Sequence, residues 1–380
     1  MRDLTVPGLW KGHLSGIEAV VNCVGILQDA PGESTQAIHA DAVAALTKAC
    51  ESAGVRRLIH FSAMGVDRET VSAYSSSKRS GEAAVVASKL DWVILRPAPV
   101  MGRQAYGGSA AFRGLAALPA LPVLPGTGPM QVVQLDDVVE TVLTFLDPRS
   151  PSRIALDLAG PDRLSFKDIV GAYRSWLGWP PARTLAVPGW AARVMYGLGD
   201  LASWLGWRPP MRSNVRAELA RGATGDPKPW TEATGIEPRS LADALTAEPA
   251  GVQERWFAAL YVLKPIILIV LALFWATTGW LSVGPGYHIG VDLMLEGGAG
   301  VLAGPSVIAG GLADLAIGIG IAIRRTARPA LWAGIALALF YAVAGSILLP
   351  RLWIEPLGPL LKIWPIILLM SVALATLRDR

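Results

Sequence analysis

Tyr74-Ser75-Ser76-Ser77-Lys78 sets a phenol and an ammonium four residues apart. On a helix that spacing puts both side chains on one face, one turn apart. An ammonium beside a phenol favours the phenolate and lowers its pKa from about 10. Tyr74 could then give or take a proton at an alcohol or carbonyl carbon. The plain alternative is a solvated helix face with an ordinary tyrosine. What separates the two is position, so the elements around the pair matter more than the pair.

Residues 17–24 (IEAVVNCV) form a short apolar run that stops at Gly25 and reads as a buried strand. Residues 34–53 carry helical periodicity, with Ala37, Ile38, Ala42, Ala45, Leu46 and Ala49 on one face and Gly54 as the stop. A second strand is expected at 57–61 (RLIHF), a helix at 74–88 and a third strand at 92–95 (WVIL). Strands alternating with helices of this length imply an α/β fold with a parallel sheet covered on both faces. Ligands of such sheets bind beyond the carboxyl ends of the strands. The positions of interest are therefore 22–25, 62–64 and 96–102, with the Tyr74–Lys78 pair close behind the second strand.

On these residues the chain resembles the short-chain dehydrogenase/reductase superfamily, of the extended or atypical kind, over about residues 1–246. VNCVG (21–25) resembles that family's Asn-Ala-Gly element, which makes Asn22 and Gly25 cofactor-facing. LRPAPVMG (95–102) resembles its Leu-Arg-Pro stretch, implying that Arg96, Pro97 and Val100 meet the nicotinamide end. Residues 132–146 (VVQLDDVVETVLTFL) and 156–170 (LDLAGPDRLSFKDIV) resemble the steps that follow, with Asp137 and Ser165 as helix caps. The branch with the nucleotide-binding accessory subunit of respiratory complex I looks nearest. The resemblance implies NAD or NADP as cofactor, Tyr74 as acid/base, Lys78 on the ribose hydroxyls, and Ser62 as third catalytic residue and cofactor contact. Met64 occupies the more usual place of that serine, which leaves turnover open.

One family element is missing. A dinucleotide fold opens on a strand, a glycine-rich turn and a helix whose amides cradle the pyrophosphate, and nothing of that kind precedes Ile17. The chain begins where the family would be finishing its third strand, and MRDLT looks like the tail of its Gly-Asp-x-x-Asp step. The expectation is a truncated Rossmann-like domain over 1–247, because either the true start lies upstream or half the nucleotide site is lost. From about residue 165 the region is expected to cap a substrate. Within it Trp190, Val194, Leu198, Leu201 and Leu205 make a helical apolar stripe flanked by Arg193 and Arg212. That stripe reads as core, as a lid, or as a helix on a membrane surface. Residues 227–254 read as a polar tether with a final helix.

Beyond residue 256 the solvent changes. Hydrophobic residues make up 52% of the chain and charged ones 17%, and the imbalance is concentrated in this last third. A crossing helix needs about 20 apolar residues. Four spans are expected: 265–283 extended by 260–263, 297–323 with one charge at Asp314, 330–350, and 363–377 extended by 357–361 with Lys362 snorkelling. Asp314 reads either as a proton or ligand site or as a bundle hydrogen bond. Trp256, Trp280, Trp332, Trp353 and Trp364 sit at span ends, as an aromatic belt would. The glycine-rich second span and IEPLGPLLKIWP (354–365) resemble the DoxX-like membrane family, four-helix bundles often found beside redox partners.

Arg255 and Lys264 precede the first span, Arg324, Arg325 and Arg328 lie between the second and third, and Arg378 and Arg380 follow the fourth. With no apolar leader at the N-terminus, this pattern predicts an inner-membrane protein with both termini cytoplasmic, Arg351 and Lys362 standing against it. A net charge of +4 without a basic run excludes a nucleic-acid role. Cys23 and Cys50 sit in apolar runs as reduced core cysteines do, and His13, His39, His60 and His288 show no ligand spacing, so no metal is expected. The whole reads as a membrane-anchored NAD(P)-dependent oxidoreductase or epimerase-like protein with a lipid or quinone-like substrate. The alternative is a non-catalytic nucleotide sensor or accessory subunit beside a respiratory-chain partner.

Overall fold

The computed structural model describes residues 2–10, 12–30 and 32–377. The chain divides into two compact units, Met1–Trp204 with Pro209–Ala259 and Leu205–Arg208 with Leu260–Arg380.

In the first unit the strands are β1 (Ala19–Asn22), β2 (Arg57–Phe61), β3 (Asp91–Pro97), β4 (Val100–Met101), β5 (Ala120–Val123), β6 (Val133–Gln134), β7 (Ile154–Leu158) and β8 (Arg183–Ala186). Helices α1 (Pro7–Trp10), α2 (Ala42–Ala53), α3 (Ala73–Val86), α4 (Gly107–Ala116), α5 (Leu135–Leu146), α6 (Phe166–Trp176), α7 (Gly189–Trp204), α8 (Ser213–Arg221), α9 (Lys228–Thr234) and α10 (Leu241–Ala247) connect them, and a π-helical turn at Ala37–Asp41 leads into α2. The main sheet has the order β1-β2-β3-β7, all parallel. The three strands expected from the sequence are its first three, and β7 lies in the stretch resembling the family's later steps.

Both faces of the sheet are covered, which is why RLIHF carries no polar alternation. Leu58 and Ile94 pack with Val43, Leu46 and Cys50 of α2 and Val85 of α3. Ile59, Val93 and Leu95 pack on the other face with Val138 and Phe145 of α5 and with Trp230 of α9. β1 pairs only with β2 and is an edge among the described residues. Cys23, just past its last paired residue, is exposed, whereas Cys50 is buried. The expected core position of Cys23 fails because an edge strand has cover on one side only.

Two cap assignments part company. Ser165 caps α6 by accepting from the Asp168 amide at 3.2 Å. Asp137 is no cap, since Gln134 holds that position on α5. The Asp137 carboxylate is buried and accepts from the Arg239 amide (3.0 Å) and its Nε (2.8 Å). Residues 227–254 are likewise not a tether. Trp230 is fully buried, and its Nε1 donates to Thr141 Oγ1 at 2.9 Å. One aromatic side chain outweighs the polar composition around it.

α11 (Val252–Val283) leads from the first unit into the second, which continues with α12 (Tyr287–Glu296), α13 (Ala303–Ala322), α14 (Ala327–Leu348) and α15 (Ile363–Thr376). Among the described residues three helices are long and apolar enough to cross a membrane, Val252–Val283, Gly300–Ala322 and Ala327–Leu348. The expected fourth span is shorter. α15 has 14 residues, about 21 Å at 1.5 Å per residue against a hydrocarbon core of about 30 Å. Residues 357–361 do not extend it, because Gly358 adopts φ +55 and Pro359 follows. Gly318 brings α13 against α11: a Cβ there would lie 2.5 Å from the Ala276 nitrogen. Asp314 is buried on α13 and accepts from Tyr341 Oη at 3.1 Å, which is the bundle hydrogen bond. Arg378 and Arg380 lie outside the described residues.

If 227–254 is core rather than linker, Trp230→Ala costs about 3–5 kcal/mol. A thermal melt of the detergent-solubilised chain then shows a clear loss of Tm, where a linker substitution would show none.

Candidate active site

The site is built where β1 and β2 end. α3 starts at Ser72, whose Oγ accepts from the Ser75 amide (3.2 Å) while Ser75 Oγ accepts from the Ser72 amide (3.0 Å). That reciprocal cap fixes the first turn, and Tyr74 lies in it. Gly81 lets the helix press on the π-helical turn: a Cβ at 81 would meet the His39 carbonyl oxygen at 2.1 Å.

Lys78, one turn beyond Tyr74, is buried, and its Nζ donates to the carbonyl of Phe61, the last residue of β2, at 2.8 Å. It also faces Gly25, where an added Cβ would lie 3.3 Å from Nζ. Burial pulls the ammonium down to about 8, against the Glu82 and Cys23 charges that favour it.

The phenol departs from expectation. Tyr74 is pushed up to about 12, first by burial and then by the Glu218 carboxylate, with Arg221 opposing. The ammonium is engaged at the strand tip, so the charge that would lower the phenol is directed elsewhere. Tyr74 therefore holds its proton at neutral pH.

Two histidines that showed no spacing signal line the same place. His39 Nε2 accepts from the Ile26 amide at 3.0 Å, which puts the proton on Nδ1, 3.0 Å from Ser77 Oγ. Its ring meets the Tyr74 ring edge-on at 5.4 Å. Burial and the Lys78 charge hold His39 at about 3, so it is neutral. Asn22 Nδ2 donates to His60 Nδ1 at 3.1 Å and Asn22 Oδ1 accepts from the Val24 amide at 3.2 Å. His60 Nε2 then carries the hydrogen, buried without a partner.

Ser62, next after Phe61, is buried with its Oγ unpartnered, while its amide donates to the Leu95 carbonyl. Arg96 turns away from the strand tip. Its guanidinium bonds both Glu82 oxygens (2.8 and 2.7 Å) and Asp67 (2.8 Å), so only its backbone is free to serve a ligand. Pro97 accepts from the Met64 amide at 3.3 Å, and Val100 is partly buried in β4, paired with Val133.

α8 closes over the Tyr74 turn. Ser72 Oγ donates to Glu218 at 2.5 Å, and Arg221 bonds Glu218 (2.7 Å), the Met64 carbonyl (2.9 Å) and the Glu69 carbonyl (3.0 Å). α7 supports α8 through Asp200, which accepts from Arg212 Nε (3.1 Å) and from Ser213. His39, His60, Glu218 and Arg221 escaped sequence reasoning because folding, not spacing, brings them to Tyr74.

The fold and these residues define a class, a Rossmann-like domain of nicotinamide-nucleotide type joined to a membrane bundle. Residues 2–114 match the NAD(P)H-binding family and residues 272–371 the DoxX-like family. The chain thus carries an NAD(P)H-binding domain and a DoxX-like membrane domain. It is similar to a ceramide reductase of Caulobacter vibrioides (strain NA1000 / CB15N), 27% identical over 143 residues, 38% of this chain and 45% of the relative. The match therefore spans under half the length of that curated relative. Two solved structures share the fold. They are the Bordetella bronchiseptica enzyme WbmG in complex with NAD and UDP (TM-score 0.50, 16% identity, 67% of this chain and 79% of that one) and the dTDP-glucose 4,6-dehydratase DesIV of Streptomyces venezuelae with NAD bound (TM-score 0.50, 18%, 67% and 77%).

The low folded-state value of Lys78 has a definite sign. Relative to the unfolded chain, its burial costs stability below pH about 8, and that cost fades as pH rises toward the ordinary lysine value. If the ammonium holds nucleotide, NADH or NADPH affinity weakens as pH rises through about 8. Fluorescence titrations across that range show the inflection in the wild type, and Lys78→Met gives weak binding without it.

Proposed function

We propose that the chain is a membrane-anchored NAD(P)-dependent oxidoreductase acting on a carbonyl or alcohol. The observation that carries the reading is the buried Lys78, reaching a strand tip one helical turn from a protonated Tyr74. The nucleotide fit is supported by Gly25, which leaves room beside Nζ, and by the unpartnered Ser62 Oγ. Asn22, Gly25, Ser62, Tyr74 and Lys78, with the backbone of Arg96, Pro97 and Val100, would hold the nicotinamide end. When bound, the nicotinamide supplies or takes the hydride.

The rest is done by this chain. In the reducing direction Tyr74 gives its hydroxyl proton to the carbonyl oxygen as the carbon gains hydride, and is reprotonated from solvent. Ribose hydroxyls would draw Lys78 Nζ off the Phe61 carbonyl. Its charge would then stand beside the phenol and lower its pKa, as the Tyr-x-x-x-Lys spacing implies. Ser62 Oγ is a free donor for the substrate oxygen. Neutral His39, locked by Ile26 and Ser77, packs against the Tyr74 ring and keeps it in place.

The substrate class we favour is a lipid ketone or its alcohol, with a quinone as the other apolar candidate. The membrane domain supports both, and the relative named a ceramide reductase favours the lipid. We place the NAD(P)H-binding unit on the cytoplasmic face of the inner membrane, because Arg324, Arg325 and Arg328 fall between two spans. Arg351, which argues against this side, is ion-paired to Glu296 and Glu355. A second reading, a non-catalytic nucleotide sensor or accessory subunit beside a respiratory partner, is favoured by one observation: in the free protein the Lys78 ammonium is bonded to the Phe61 carbonyl.

Tyr74→Phe separates the readings. The oxidoreductase loses about 10²–10⁴-fold in turnover at unchanged NAD(P)H affinity, measured in proteoliposomes with long-chain ketone or quinone acceptors. Equal nucleotide oxidation by both proteins would eliminate Tyr74 chemistry, and NAD(P)H binding with no oxidation by either would leave the sensor.

A further inference from the structure

α7 carries five large apolar side chains on the solvent side of the first unit. Trp190, Val194, Leu198, Leu201 and Trp204 are 65%, 55%, 61%, 55% and 75% exposed. Their spacing of four, four, three and three residues is one continuous helical stripe. The sequence ended this stripe at Leu205 and left it open between core, lid and membrane helix; α7 ends at Trp204, which takes that place, and the exposure removes the first.

The helix cannot roll to bury it. The opposite face is seated: Ala192, Tyr196, Gly199 and Ser203 are buried, and Gly199 lies so close to the Met211 carbonyl that no Cβ fits. The stripe is therefore a fixed outward face that needs an outside partner.

The chemistry of the face points to lipid. It has a tryptophan at each end, where an indole sits well at a headgroup boundary. Its only charged residues are the exposed Arg193 and Asp200, and Asp200 is taken by Arg212 and Ser213. A cation stays exposed while the carboxylate is engaged, which suits an anionic surface.

Chain continuity names the occupant. The four residues after Trp204, Leu205–Arg208, belong to the membrane unit. Trp207 Nε1 donates to the carbonyl of Ala322, the last residue of α13, at 2.7 Å, and the Leu205 carbonyl accepts from the Arg324 amide at 3.0 Å. The end of a membrane-crossing helix, followed by Arg324, Arg325 and Arg328, marks a bilayer boundary. One peptide bond separates Trp204 from the segment anchored there.

We propose that α7 is an in-plane interfacial helix, its Trp190–Trp204 stripe seated in the headgroup–acyl boundary of the bilayer that holds the DoxX-like domain. The inference does not depend on the chemistry assigned to Tyr74. Covalent anchoring nearby makes the association effectively intramolecular, so modest apolar burial suffices to keep the helix seated.

The test uses the full chain at one copy per lipid nanodisc, in a Cys23→Ser background. An environment-sensitive fluorophore is placed at Leu198→Cys, at Val194→Cys as a second stripe position, and at Lys167→Cys, an exposed position of α6. Nanodiscs contain phosphatidylcholine and phosphatidylglycerol, with or without bromine on the acyl chains. Both stripe labels should be quenched by brominated lipid and protected several-fold from aqueous iodide, and the Lys167→Cys label should show the reverse. Iodide reaching the stripe labels as readily as the control overturns the proposal. Protection from iodide without bromolipid quenching also overturns it, because the cover would then be protein. Melting temperatures equal to the parent's establish that each labelled chain is folded.

Discussion

The contact from Lys78 Nζ to the Phe61 carbonyl holds the candidate site together. A buried ammonium with few charged neighbours needs strong acceptors, and the end of a central parallel strand offers one. This bond ties α3 to the tip of β2, fixes where Tyr74 stands and keeps the cation beside Gly25. It also explains the phenol. With the ammonium drawn to the strand, burial and Glu218 govern Tyr74 and the proton stays on. The pair is thus set one helical turn apart, with a carbonyl standing where hydroxyl groups could compete for the same hydrogens.

Around that bond the polar groups are arranged in layers. His39 is neutral and committed on both nitrogens, His60 is committed on one, and Ser62 Oγ on none. Most buried polar groups find partners, so the unpartnered His60 Nε2 and Ser62 Oγ at the end of β2 mark a place where a polar ligand would complete the network. Arg96 is the opposite case. Its guanidinium is saturated by Glu82 and Asp67 and serves to brace α3 against β3.

α7 and α8 connect the outside of the unit to this interior. Asp200 links the exposed helix to Arg212 and Ser213, and α8 then brings Glu218 and Arg221 to the first turn of α3. Each step is a hydrogen bond or ion pair. The comparisons are consistent with a two-part chain, since the NAD(P)H-binding and DoxX-like matches fall on separate stretches.

The order of strands and helices, the Tyr-Lys pair and the apolar C-terminal helices were legible in the sequence, because local periodicity and spacing encode them directly. RLIHF reads as a strand, its double cover follows from the alternation of strands and helices around it, and the structure has it at the same residues. The misreadings share a cause. Trp230 turns a polar stretch into core, Gly358 and Pro359 shorten α15, and Arg239 claims Asp137 from capping. Partners distant in sequence leave no periodic trace. Whether Lys78 faces Tyr74 or a carbonyl, and whether the Trp190 stripe is core or surface, depends on which groups the fold packs beside them, and only the tertiary structure decided it.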